Sequence, residues 1–373
     1  MSVRIAAVAT LLFGLAAAAQ APTSLKDAYK GDFYIGVAIN AQQITGQDSR
    51  GDATIASQFN SISPENCLKW ESVHPQPDKY DFSLADQYVA FGEKHHMFIL
   101  GHNLVWHSQT PAWVFHDDKG NLLTRDALLA RMRDHIHTVV GRYKGRIQTW
   151  DVVNEALNED GTLRPSLWYK IIGPDYIQKA FEYAHEADPA AQLNYNDYNI
   201  EYEAKRNGAV ALVKQLQAAG IPVATVGIQE HVGLDTPTLD QLNDSIDAFA
   251  KLGVKVAITE LDVDVLPHAM RQQTADVSVH AAQDPALNPY ANGLPDSVQQ
   301  QLTKRYADLF GVYLKHRDVV NRVTLWGLSD ADSWRNDWPV RGRTSYPLLF
   351  DRAGQPKPAY DAVLHEAAGH SLP

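Results

Sequence analysis

Gln148-Thr149-Trp150-Asp151-Val152-Val153-Asn154-Glu155-Ala156 is a β-branched, apolar run that ends in a glutamate, and Val256-Ala257-Ile258-Thr259-Glu260-Leu261-Asp262-Val263 is a second. β-branched residues favour the extended chain. Runs of this kind that hardly alternate belong to strands covered on both faces, as in parallel sheets. In a closed α/β barrel the carboxyl ends of the strands carry the active site. The two glutamates therefore predict two carboxylates from different strands meeting at one face.

Working outward, six more short β-branched or aromatic runs occur, at 33–38, 59–65, 97–102, 192–195, 223–228 and 322–326. With 147–153 and 254–261 they make eight candidate strands. Amphipathic helical patterns separate them, at 127–136, at 176–184 and at 209–216, the last closed by Gly220 as a C-cap. A final helix is expected over 359–367. Alternating strands and helices imply a parallel sheet, and eight such units close a barrel. The expected fold class is α/β, a (β/α)8 (TIM) barrel in a single domain. One connection, from Asp264 to about Gln299, has no clean period and is punctuated by Asp284-Pro285, Asn288-Pro289 and Gly293-Leu294-Pro295. It follows the strand bearing Glu260 and so is expected to hang over the active face, either touching substrate or only packing there.

The bulk properties narrow the function. The chain has 373 residues, 45% of them hydrophobic and 21% charged, which is ordinary for a globular protein and excludes a mostly disordered one. Its formal net charge is −11. Such a chain has no electrostatic attraction to nucleic acid or to anionic membranes, so a neutral or cationic partner is expected. Residues 1–21 read as a signal peptide: Arg4 gives a basic start, 5–19 is uncharged and largely apolar, and Ala19-Gln20-Ala21 fits an A-x-A cleavage site. The run falls short of the roughly 20 residues of a membrane span. Residues 22–373 are then the catalytic domain, secreted or periplasmic, free of the membrane once the leader is removed. The alternative is an uncleaved membrane anchor. The single cysteine, Cys67, rules out an intramolecular disulfide. It is expected to be buried as a small hydrophobe.

Polar and aromatic residues gather at the ends of seven consecutive strands. They are Glu65-Asn66-Cys67-Leu68-Lys69-Trp70, His102-Asn103-Leu104-Val105-Trp106-His107, Asn154-Glu155, Asn194-Tyr195-Asn196-Asp197-Tyr198-Asn199, Gln229-Glu230-His231, Glu260-Leu261-Asp262, and Trp326 through Trp334. Paired carboxylates of this kind are what glycosidic cleavage needs: one protonates the leaving oxygen while the other attacks or activates water. Wide indole faces suit the apolar faces of sugar rings, which gives Trp326 and Trp334 the part of cleft walls. Trp70 and Trp150 are expected to pack in the core.

Taken in order, E-N-x-x-K-W, H-x-L-V-W-H, W-D-V-V-N-E and T-E-L-D resemble the family-10 glycoside hydrolases, the endo-β-1,4-xylanases. The resemblance covers nearly the whole chain after the leader. It implies Glu155 as general acid/base and Glu260 as nucleophile, acting with retention through a covalent glycosyl-enzyme. It implies that Asn66, Lys69, His102, Trp106, Asn154 and Gln229 bind the sugar beside the scissile bond, Glu65 the next sugar out, and that Tyr198 and Asn199 face the cleft. His231 would bind the sugar too and, oriented by Asp262, would keep Glu260 ionised. The implied substrates are xylan and xylo-oligosaccharides, cut by a monomer without a cofactor. Glu230 departs from the pattern, and strand alternation turns it away from the site. His95-His96 and His135-Ile136-His137 lack partners for a metal site, Asp262-Val263-Asp264 lacks the rest of a calcium loop, and no phosphate loop or G-x-S-x-G elbow occurs. No metal is expected. The rival readings are an enzyme for another glycan or an exo-acting one on the same barrel, and a catalytically silent carbohydrate-binding barrel, which loss of either glutamate would favour.

Overall fold

The computed structural model describes residues 24–268 and 276–369; the leader expected over 1–21 lies outside them. Among the described residues nine strands form: β1 (Tyr34–Ile39), β2 (Ser61–Pro64), β3 (Phe98–Val105), β4 (Thr149–Asn154), β5 (Gln192–Asp197), β6 (Thr225–Ile228), β7 (His231–Gly233), β8 (Lys255–Asp264) and β9 (Val320–Leu325). All pairings are parallel. The ring runs β1-β2-β3-β4-β5-β6-β8-β9 and closes where β9 pairs with β1. This is the expected (β/α)8 barrel. β7 is the one strand not foreseen. It resumes the line of β6 after a break at Gln229 and Glu230, and pairs with the upper half of β8.

The strands form for the reason the sequence suggests. Val37, Ile62, Ile99, Trp150, Val152, Leu193, Val226, Ile258 and Val323 are buried against the surrounding helices. Gly101 has no side chain because Trp150 fills its place: a Cβ there would lie 2.1 Å from the indole. Trp70 and Trp150 are core residues as expected, and Cys67 is buried. The helix expected at 127–136 runs Arg125–Arg142, starting earlier because the Thr124 hydroxyl caps the amide of Ala127. The helix Glu203–Ala218 ends before Gly220, which takes the left-handed conformation (φ +76°) that closes a helix. The stretch after Asp264 ends sooner than expected, at the helix Asp296–Lys315. No described helix is long and apolar enough to cross a membrane.

The registers show how the two glutamates are presented. Between β4 and β5, Asp151 pairs with Asn194 but Val153 with Tyr195, so β4 advances two residues against one. Between β8 and β9, Ile258 pairs with Val323 and Leu261 with Leu325, three residues against two. β3 advances three against two along β4, from His102 to Val105. Each strand thus carries a bulge near its carboxyl end. An extra residue there breaks strict alternation and re-aims the side chains above it.

Candidate active site

Glu155 follows directly on β4 and holds φ +57°, a left-handed conformation uncommon in residues other than glycine. Backbone bonds on both sides hold it there: its amide donates to the Asn196 carbonyl at 2.9 Å, and Arg164 Nε donates to its own carbonyl at 3.0 Å. Such a conformation persists only where the surroundings over-determine it. Glu260 sits on the β8 bulge, its amide donating to the Gln229 carbonyl at 2.9 Å. Both side chains are almost fully buried, at 7% and 5% exposure.

One amide oxygen ties the two carboxylates together. Asn154 Oδ1 accepts from Asn196 Nδ2 at 2.9 Å and from Gln229 Nε2 at 3.2 Å. Asn196 Nδ2 also donates to Glu260 Oε1 at 2.8 Å, and Gln229 Nε2 also donates to Glu155 Oε1 at 3.0 Å. Thr259 orients Asn196 by donating its hydroxyl to Asn196 Oδ1 at 2.7 Å. Asn154 and Gln229 are among the expected residues; Asn196 is not. Its signal was parity: Asn194 and Asn196 share the inner face of β5, where a polar pair needs a partner.

The two carboxylates differ in their charged neighbours. Burial pushes Glu155 up, opposed by the Gln229 hydrogen bond and reinforced by repulsion from Glu260. His107 lies 3.9 Å from its second oxygen. Burial would push Glu260 up as well, but hydrogen bonds from His231 and Asn196 outweigh it and hold this carboxyl below its usual value. His231 Nε2 is 3.2 Å from Glu260 Oε2, and His231 Nδ1 is 3.1 Å from Asp262 Oδ2. Burial alone would lower His231; its two acidic neighbours raise it to about 9. Asp262 also accepts from Trp334 Nε1 and from Arg335 Nε, both at 2.7 Å, and Arg335 reaches on to Asp264 at 3.1 Å. Against its burial, Arg335 and His231 hold Asp262 down at about 2, helped by the Trp334 hydrogen bond. At neutral pH, one glutamate is thus biased towards the acid and the other towards the anion.

The cleft above the pair has a volume of about 500 Å³. Every residue expected to bind sugar lines it: Glu65, Asn66, Lys69, His102, Trp106, Asn154, Tyr198, Gln229, His231, Trp326 and Trp334. Asn199 lines it too. Lys69 is buried, which lowers its affinity for its proton against the pull of Glu65. Its ammonium donates to Asn66 Oδ1 at 2.9 Å and to Gln109 Oε1 at 2.7 Å. His102 Nδ1 meets Asp151 Oδ2 at 2.9 Å, and Asp151 Oδ1 accepts from Asn194 at 3.2 Å. That pairing fixes the ring beside Trp326, edge to face at 5.5 Å. The loop after Asp264 does reach the site, through Val277 and Ser278. Gln109, Arg335 and Trp338 also line the cleft and were not foreseen; Trp338 stacks on Trp334 at 4.9 Å. Glu230 is buried and does not line the cleft, the outcome expected of it. Among the described residues no group of three or more His, Cys, Asp or Glu side chains could hold a metal ion.

Residues 24–366 match the sequence pattern of Glycosyl hydrolase family 10. The chain belongs to this family. Endo-1,4-beta-xylanase A of Xylanibacter ruminicola is 46% identical over 354 residues, covering 95% of this chain and 96% of the relative. A beta-1,4-xylanase of Dictyoglomus thermophilum is 42% identical over 339 residues, covering 90% and 89%. Among solved structures, a family-10 endoxylanase from a sugarcane soil metagenome superposes with a TM-score of 0.89 at 51% identity, covering 92% of this chain and 99% of that one. Membership in family 10 extends over the barrel and over the cleft, so the bulged strands and the amide bridge lie within the region shared with these relatives.

Proposed function

We propose that this protein is a retaining endo-β-1,4-xylanase in which Glu155 is the general acid/base and Glu260 the nucleophile. The observation that carries the reading is the unequal environment of the two bridged carboxylates. Glu155, buried and repelled by Glu260, keeps a proton to give. Glu260, fed hydrogen bonds by His231 and Asn196, stays an anion able to attack. Glu260 attacks the anomeric carbon while Glu155 protonates the departing glycosidic oxygen, leaving a covalent glycosyl-enzyme. Glu155, now ionised, takes a proton from water as that water attacks the same carbon. Glu260 is released, and inversion twice over gives net retention. His102, Lys69, Asn154 and Gln229 offer hydrogen bonds to the sugar at the reacting position, and Trp106, Trp326 and Trp334 offer apolar faces. Interactions that strengthen as the ring flattens lower the barrier; those made equally before and after do not.

The sequence of residues 1–21 supports export as part of the same reading, to the periplasm or the medium, with the enzyme acting as a monomer on xylan. The amino-terminal sequence of protein recovered from culture tests the leader. Chromatography of products from xylan over time tests the reaction. An early spread of oligomers supports the endo-xylanase. Xylose or one short product from the start points to an exo enzyme, and absence of products sends the search to other glycans.

A further inference from the structure

After Glu155 the chain makes a tight excursion and comes straight back. Leu157 bridges Leu163, Asn158 N donates to the Thr162 carbonyl at 2.8 Å, and Arg164 N donates to the Ala156 carbonyl at 2.7 Å. Near the tip Gly161 takes φ +81°. The turn is pressed against the helix Glu203–Ala218, and glycines permit the approach. A Cβ on Gly161 would lie 2.4 Å from the Ala204 carbonyl, and one on Gly208 would lie 2.3 Å from the Gly161 carbonyl. The turn therefore returns Arg164 to the side of Glu155.

There the Arg164 guanidinium binds the acid/base side of the cleft. Nε donates to the Glu155 carbonyl at 3.0 Å, and Nη2 donates to the Leu157 carbonyl at 3.0 Å and to the Tyr198 hydroxyl at 2.9 Å. Tyr198 follows β5 and lines the cleft. A phenol that accepts a hydrogen bond keeps its own hydrogen to donate. Lys205, from the helix Glu203–Ala218, sets its ammonium 3.3 Å from the centre of the Tyr198 ring. Lys205 is fully buried and lies 3.1 Å from Asp197 and 3.1 Å from Glu159 of the turn. Turn and helix thus grip Tyr198 with two cations and tie it to the backbone of Glu155. None of these contacts reaches Glu260, which is served by His231 and Asn196.

We propose that Arg164 is a positioning residue for the leaving-group half of the reaction: it holds the left-handed backbone of Glu155 and the side chain of Tyr198 in one frame, so that the acid meets the departing oxygen. This rests on Glu155 being the acid/base. An uncommon backbone conformation relaxes once its surroundings stop imposing it. With Arg164 replaced, the bond from the Glu155 amide to the Asn196 carbonyl must hold that conformation without the guanidinium. A misplacement of about 1 Å can cost about a hundredfold in rate. Lysine keeps the charge but lacks the planar fork that serves two carbonyls and a hydroxyl at once. Glu260 keeps its own supports, so its attack is spared.

The test uses Arg164→Met and Arg164→Lys with two substrates, xylohexaose and a dinitrophenyl β-xylobioside. The sugar leaving group of the first needs a proton. That of the second does not, so its kcat/KM reports attack by Glu260 without help from the acid. On xylohexaose, kcat/KM should fall about tenfold to a hundredfold in Arg164→Met and less in Arg164→Lys. On the aryl substrate kcat/KM should stay within about twofold, while kcat and KM fall together by about tenfold. Water then attacks the glycosyl-enzyme without a well-placed base, and the intermediate accumulates. A residue that only supports the fold would cost both substrates alike and give no such split. Equal losses of kcat/KM on the two substrates, or wild-type values on both, overturn the proposal. Should Arg164→Met fail to fold, Arg164→Lys carries the same readouts. A wild type inert on both substrates would refute the hydrolase reading itself, and the proposal with it.

Discussion

Asp262→Asn isolates the device that keeps the nucleophile charged. In the native site Asp262 lies 3.1 Å from His231, and His231 lies 3.2 Å from Glu260. His231 is raised from 6.5 to about 9, which at 1.36 kcal/mol for each pH unit is on the order of 3 kcal/mol. Burial opposes that rise, and Asp262 is the largest force behind it. Without the Asp262 charge the imidazole should be neutral at pH 7. Its bond to Glu260 then loses charge assistance, worth about 1–2 kcal/mol, or roughly 5–30-fold in kcat/KM. The acid limb of kcat/KM on an activated aryl xylobioside should also move to higher pH, since Glu260 loses part of what holds its ionisation low. The stability signs follow separately. His231, raised, contributes in full below about 6.5 and loses that contribution as pH climbs through about 9. Asp262, held at about 2, contributes above about 3.9 and loses its contribution as pH falls through about 2. The melting gap between wild type and variant should therefore be widest between about pH 4 and pH 6.5 and narrow towards pH 9. An unmoved acid limb together with a gap that ignores pH would refute the reasoning.

Glu260→Ala should abolish hydrolysis of every substrate, whereas Glu155→Ala should cripple xylan cleavage but keep more activity on aryl glycosides, whose leaving groups need little protonation; equal losses on both substrates in both variants would overturn the role assignment. Gly227→Ala places a Cβ 2.3 Å from Asn196 Oδ1, pushing aside the amide that feeds Glu260, so kcat should fall about tenfold or more while the fold survives, as circular dichroism would show. Gly101→Ala drives a methyl into the Trp150 ring at 2.1 Å, and thermal melting should register a loss of about 3 kcal/mol, at the upper end of overpacking costs.

The barrel was legible because its determinants are local. Each of the eight runs became a strand within a few residues, and Trp150 and Cys67 are buried as their types suggest. Most of the cleft was legible too, because residues at the ends of parallel strands converge whatever the detail between them. What stayed hidden depends on the register between strands. A bulge cannot be seen in one strand alone, because it is defined by the count on its neighbour; hence the left-handed turns at Glu155 and Glu230 and the resumption of β6 as β7. Asn196 and Arg335 were missed for a related reason. They touch the acidic residues rather than imitate them, and an asparagine or arginine at a strand or loop end commonly means only solvent. The true extent of the helix Asp296–Lys315 was blurred because Asp296 and Gln299 carry no apolar period at its start.

The shared oxygen of Asn154 has a consequence for anyone retuning this enzyme. Because Asn196 and Gln229 both anchor on it, a substitution in that amide layer is felt at the acid and at the nucleophile together. Adapting the catalyst to a more acidic or more alkaline process through Asn154 would drag both edges of its working range. Independent control lies at the outer contacts, His107 on one side and Asp262 with Arg335 on the other, where each glutamate has a neighbour of its own.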